Sequence, residues 1–267
     1  MKQRIITAFI ALPLVLFFTL AVPTPWFAAV VCAVTVVALW EFYSMVLSSQ
    51  RSKVKYFAIG AGIPILLVGA YVPKLVVPVW ALLFMGFAIY FLYRYHDLNT
   101  VVSELGLVAM AWLYVPLLLS HMILLHSMPD GRRWVLLVLI MTMLCDSCAY
   151  FIGTAFGRHR LYPAISPKKS IEGALGGGLG CVLAAVAAHL WLLPQTSWFD
   201  CLFIGILTAV IGQIGDLFES MVKRYANIKD SGTIFPGHGG MLDRIDSLLF
   251  SFPAVYAYLY FTSGTFH

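Results

Sequence analysis

Residues 26–47 read WFAAVVCAVTVVALWEFYSMVL, twenty-two residues whose one formal charge is Glu41. As a helix this stretch is about 33 Å long, enough to cross the hydrocarbon core of a bilayer. Runs of the same kind recur on both sides of it, near 5–22, 57–73, 75–93, 105–126, 134–156, 173–193, 199–218 and 247–263. The run at 57–73 is the weakest, being short and interrupted by Pro64. Composition agrees: 61% of the 267 residues are hydrophobic and 11% are charged, against about 25% charged in an ordinary soluble domain. Too little polar surface remains for solubility in water. The expected fold is all-α, a polytopic integral membrane protein with about nine transmembrane helices forming a single domain over residues 1–267.

Orientation follows from the basic residues. With the N-terminus inside, the inner segments hold Lys2 and Arg4, then Arg51, Lys53 and Lys55, then Arg94. The later inner loops add Arg158, Arg160, Lys168 and Lys169, and then Lys223, Arg224, Lys229 and Arg244. Only Lys74, Arg132 and Arg133 fall outside, a strong positive-inside bias. The first apolar run resembles a secretory signal, but Pro23 and Pro25 stand where a small-residue cleavage site is wanted, so it is read as a span. The five cysteines lie within apolar runs and suggest no disulfide framework. Cys145-x-x-Cys148 has the spacing of a redox or zinc pair, but on a buried helix it is read as two small apolar side chains one turn apart.

Acidic residues inside spans need a partner or water. Asp146 lies about 18 Å below the outer end of its span, and Glu41 and Asp216 about 22 and 25 Å down theirs, which gathers them in the half that carries the basic loops. Asp146 is read as functional and Glu41 as pairing with a neighbouring helix. Asp216 and Glu219, one turn apart, have the alternative of being solvated helix-end charges. The glycines at 173, 176, 177, 178 and 180 also allow two readings. One is close helix packing in lipid; the other is backbone approach to phosphate at a helix start, favoured by the preceding Ser166-Pro167-Lys168-Lys169-Ser170.

The most polar stretch is Ser220 to Asp246, SMVKRYANIKDSGTIFPGHGGMLDRID, set between two apolar runs. Lys223, Arg224, Lys229 and Arg244 can neutralise a polyanion, while Asp243 and Asp246, three apart on one helical face, can hold a hard cation through oxygen. Phosphates with a divalent metal are the natural guests. This stretch resembles the signature of the phosphatidate cytidylyltransferases: Ser, two residues, Lys-Arg, four residues, Lys-Asp, then Pro-x-His-Gly-Gly-x-x-Asp-Arg-x-Asp. Asp146-x-x-Ala149-Tyr150, Gly157-Arg158-His159, Ser166 to Gly173 and Gly215 to Ser220 look like further motifs of that family, so a motif-bearing catalytic part spans about 142–250. Residues 1–130 resemble it only as hydrophobic spans.

The resemblance implies CTP and phosphatidate as substrates, CDP-diacylglycerol and pyrophosphate as products, and Mg²⁺ as cofactor. On that footing Asp216, Asp243 and Asp246 are the metal-ligand candidates. Asp146, Lys223, Arg224, His238 and Arg244 are catalytic candidates, with Ser166, Lys168, Lys169, Ser170 and Lys229 binding substrate. His238 has the plainer alternative of a turn residue bonded to backbone, and Asp230 either ligates or orients Lys229. Phosphatidate is expected to enter laterally from the inner leaflet and CTP from the cytoplasm. The bilayer is the other expected partner, nucleic acid is not one, a homodimer is the family expectation, and the expected location is the bacterial inner membrane.

Other readings share part of this pattern. A CDP-alcohol phosphotransferase needs Asp-Gly-x-x-Ala-Arg, whereas Asp130-Gly131 runs into Arg132-Arg133-Trp134. A polyprenol kinase would share the metal and phosphate chemistry. A secondary transporter also carries intramembrane acids, but it should show related halves with interrupted helices, and here the polar residues crowd into the C-terminal half.

Overall fold

The computed structural model describes residues 2–47, 52–94, 98–234 and 239–262. The helices are α1 (Lys2–Leu20), α2 (Thr24–Val46), α3 (Ser52–Tyr71), α4 (Val76–Arg94), α5 (Leu98–Trp112) and α6 (Leu118–Ser127). They continue with α7 (Gly131–Phe156), α8 (Ile171–Trp191), α9 (Trp198–Tyr225) and α10 (Leu242–Thr262). Each apolar run found in the sequence falls on a helix. Among the described residues seven stretches are long and apolar enough to cross a membrane: Thr24–Val46, Lys53–Tyr71, Pro73–Tyr93, Thr100–Ser127, Gly131–Phe156, Ile171–Trp191 and Trp198–Tyr225. The protein is an integral membrane protein.

Proline shapes two spans differently. Pro64 does not break α3, which runs through it, as lipid-embedded helices allow when neighbours satisfy the freed carbonyl. Between α5 and α6 the chain winds as a π-helix over Leu113–Leu117, with Pro116 inside it. Because Pro116 has no N–H, the wider turn keeps the span continuous where a regular α-turn would lose a bond.

The all-α expectation has one exception. Between α7 and α8 lies an antiparallel hairpin of β1 (Arg160–Tyr162) and β2 (Ser166–Ser170), with Arg160 opposite Ser170 and Tyr162 opposite Ser166. This segment lies between two spans, and pairing the two short strands satisfies backbone groups that no helix covers.

The four C-terminal helices pack in sequence, α7 on α8, α8 on α9 and α9 on α10. Gly173, Gly176, Gly177 and Gly180 are buried along α8 and face α7. A Cβ at Gly177 would come within 2.9 Å of the Cys145 carbonyl oxygen, and one at Gly180 within 2.9 Å of that of Leu144. The cluster is thus a packing stripe that lets the two backbones touch. Cys148 belongs to the same contact, its sulfur 2.8 Å from where a Gly180 Cβ would sit. The N-terminal half packs around Trp112, which is fully buried and donates its indole N–H to the Ala58 carbonyl at 2.8 Å.

Substituting Gly177 by Leu should therefore force α7 and α8 apart, an overpacking that costs about 1–3 kcal/mol or more. Gly178→Ala, whose Cβ meets nothing closer than Ala209 at 3.9 Å, should be tolerated. Thermal melting of the purified protein in detergent is expected to separate the two, with only the Leu variant melting early.

Candidate active site

A cavity of about 830 Å³ opens where α7 and α9 end and α10 begins. Asp146 enters from α7, Ser166 and Lys168 from β2, and Asp216, Ser220, Lys223 and Arg224 from α9. Lys229 and Asp230 come from the connection after α9, and Asp243, Arg244 and Asp246 from the first turns of α10. Two expected members stand elsewhere: Lys169 and Ser170 do not line the cavity. His238 lies outside the described residues.

Local sequence explains the placement. At the end of α9, Asn227 adopts a left-handed φ of 57° and so stops the helix, with its N–H on the Arg224 carbonyl at 3.0 Å and that of Ile228 on the Lys223 carbonyl at 3.0 Å. Asn tolerates that conformation better than most side chains. Arg224 then ties two loops together, donating Nε to the Ile165 carbonyl at 3.2 Å and a terminal nitrogen to that of Ile228 at 3.0 Å. One comes from the hairpin turn and the other from the α9–α10 connection.

The start of α8 is closed by the protein's own groups. Ser170 is buried and its Oγ accepts the Gly173 N–H at 3.1 Å as an N-cap. Glu172 accepts the backbone N–H groups of Arg158 at 3.1 Å and His159 at 3.2 Å, a carboxylate at the positive end of the helix. That end therefore offers a phosphate little, and of the expected phosphate-binding segment Ser166 and Lys168 stand on the cavity wall.

The start of α10 is held more firmly still. Glu41 on α2 is fully buried and accepts the Met241 N–H at 2.9 Å and the Leu242 N–H at 2.8 Å. Asp243 Oδ2 accepts the N–H groups of Ser231 at 2.9 Å and Gly240 at 2.8 Å. Ser231 Oγ bridges the two acids, 3.2 Å from Glu41 Oε2 and 2.9 Å from Asp243 Oδ2. Glycine is required beside them: a Cβ at Gly240 would stand 2.5 Å from Glu41 Oε2, and one at Gly232 would stand 2.3 Å from Oε1. The sequence pattern did not single out Ser231, though the Ser-Gly that follows Lys229-Asp230 is a turn signal.

The charges divide into those consumed within the protein and those left facing the cavity. Lys223, only 8% exposed, pairs with Glu219 and reaches Asp243 Oδ1 at 2.7 Å. Glu219 is fully buried, so it is not a solvated helix-end charge. With Lys223 on one oxygen and three donors within reach of the other, Asp243 is held by the protein's own groups, which favours a scaffold role beside its expected place as a metal ligand. Among the described residues Lys168, Lys229 and Arg244 are exposed and in no ion pair.

Asp146, Asp216 and Asp246 face the same cavity from three helices, close enough for each carboxylate to act on the others electrostatically. Among the described residues no group of three or more His, Cys, Asp or Glu is clustered tightly enough to enclose a metal. Oxygen donors in an open arrangement fit Mg²⁺, which keeps waters and shares its shell with substrate phosphates.

The sequence matches the Cytidylyltransferase family over residues 2–262. The chain belongs to that family. It is 33% identical to the phosphatidate cytidylyltransferase of Thermotoga maritima, covering 96% of this chain and 95% of the relative. It is 32% identical to that of Bacillus subtilis, covering 96% of each. The family match takes in α2 and therefore Glu41, which the motif resemblance over 142–250 did not reach.

Replacing Glu41 with Ala should leave the Met241 and Leu242 N–H groups without acceptors. Hydrogen bonds to a charged group contribute about 1.5–3 kcal/mol each, so E41A should melt well below the unaltered protein in detergent. Glu41→Gln, which keeps one carbonyl acceptor, should fall between the two.

Proposed function

We propose that this cavity transfers the cytidylyl group of CTP to phosphatidate, giving CDP-diacylglycerol and pyrophosphate. The observation that carries the reading is the meeting of three carboxylates from α7, α9 and α10 with the unpaired Lys168, Lys229 and Arg244 around one cavity at the helix ends. The names of the two full-length relatives support the choice of substrates.

A phosphate oxygen of phosphatidate attacks the α-phosphorus of CTP. The bond from that phosphorus to the bridging oxygen breaks, and its electron pair leaves on pyrophosphate. A phosphomonoester is mostly ionised near neutral pH, so the nucleophile needs no strong base. The barrier lies in bringing two anions into line and stabilising the leaving charge. Lys168, Lys229 and Arg244 supply positive charge for the phosphates. Arg224 holds the two loops that carry Lys168 and Lys229, and Lys223 holds α10 in place through Asp243. Asp216 and Asp246 would hold Mg²⁺ with Asp146 beside them; when bound, the ion supplies electrostatic stabilisation of phosphoryl oxygens. Asp243 belongs to the scaffold in this reading, and His238 keeps its candidate role toward phosphate.

The membrane arrangement is part of the same proposal. On the nine-span reading the cavity lies at the cytoplasmic face of the bacterial inner membrane; the dense basic loops at its end of the bundle support that orientation. CTP then reaches it from water and phosphatidate from the inner leaflet. A homodimer is retained on family grounds alone, and the chemistry needs no nucleic acid.

Purified protein given CTP, Mg²⁺ and phosphatidate should form CDP-diacylglycerol and pyrophosphate, detected by lipid mass spectrometry. Asp216→Asn and Asp246→Asn should fold yet lose at least about a hundredfold in turnover, the scale for removing one preorganised electrostatic contact. Near-normal turnover in both would remove them from the metal site. For topology, a cysteine at Asp230 should resist an impermeant maleimide in intact cells and react once they are permeabilised; labelling from outside would invert the orientation.

A further inference from the structure

Asp216 is not free in the structure: the ammonium of Lys169 is paired with its Oδ2. Both side chains are about a quarter exposed, 28% and 26%, so the pair is screened less than one on an open surface. Lys169 reaches Asp216 on α9 from β2, while its neighbour Lys168 lines the cavity.

We propose that Lys169 is an internal counter-ion of the metal site, holding Asp216 in place of a divalent cation and lowering the site's affinity for that cation. The proposal rests on the reading of Asp216 as a metal ligand. Two like-charged carboxylates at membrane depth are unfavourable when nothing positive stands near them. Lys169 removes that penalty without closing the site, because its ammonium can leave Asp216 on a flexible four-carbon stem. A divalent ion approaching Asp216 must displace it or accept a neighbouring positive charge. Lys169 is in this sense a positioning residue that sets metal affinity, distinct from the phosphate-binding role of Lys168.

The opposite signs of two substitutions make the test. Mn²⁺ is titrated without nucleotide into the full-length protein in detergent, and free Mn²⁺ is read by electron paramagnetic resonance. Lys169→Gln should bind Mn²⁺ roughly tenfold more tightly than the unaltered protein, the scale of one charge-assisted hydrogen bond. Lys169→Arg, which keeps the charge, should stay near the original affinity, and Asp216→Asn should bind weakly. Lys169→Met serves in place of the Gln variant if the latter does not fold, with the same expected direction. Unchanged or weaker Mn²⁺ binding in the neutral variant, with Asp216→Asn still weak, would overturn the counter-ion role and leave the ligand assignment standing. Unchanged binding in Asp216→Asn would remove the ligand assignment and the counter-ion role with it.

Discussion

Glu41 reaches 201 positions along the chain to accept the Leu242 N–H, and the cavity depends on that contact. α10 carries Asp243, Arg244 and Asp246 in its first two turns, so the direction in which the helix starts decides where all three point. A buried carboxylate is tolerable here because the helix N-terminus supplies N–H donors and a favourable dipole. The same geometry explains the glycines at 232 and 240, which leave room for its oxygens. Binding of α10 to α2 thus makes the apolar N-terminal half part of the site's construction.

A second constraint acts on every charge in the site. In a low-dielectric surrounding an unpaired charge is unfavourable, and a paired one has little left to offer a ligand. The structure uses both states. Lys223 pairs with both Glu219 and Asp243, and Arg224 is occupied by two backbone carbonyls. Lys168, Lys229 and Arg244 are held at loop and helix ends, where exposure keeps them solvated until an anion arrives. This division gives neighbouring charged residues different physical tasks: some tie the wall together and others are left for the substrates.

Helix packing sets the scale of the cavity. The glycines of α8 bring its backbone against α7, and Gly215 of α9 lies against α10, where a Cβ would meet the Asp246 carbonyl oxygen at 2.7 Å. Close approach on both flanks brings Asp146, Asp216 and Asp246 to one space although each stands on its own helix. Ser170 adds to this, its hydroxyl wedged where a Cβ at Gly157 would come within 2.6 Å. Its value is in joining the hairpin to α7 and α8, which carries Lys168 to the cavity.

The sequence alone determined the membrane class and the approximate positions of the helices. Those follow from quantities local to the chain: run length against bilayer thickness, the scarcity of charge, and the spacing of basic and acidic residues. It also placed Asp146, Asp216, Asp246, Lys168, Lys229 and Arg244 among the candidates, through the cost of an acid inside a span, the mixed charge of the polar connections and the family resemblance of their motifs. Only the tertiary structure separated Asp243 from Asp246, Lys169 from Lys168, and the capping Ser170 from the cavity-lining Ser166. It also gave Glu41 its partner and turned the glycine cluster into a helix contact. In each case the role depends on which donor or backbone lies within about 3 Å, across separations in sequence that no local pattern encodes.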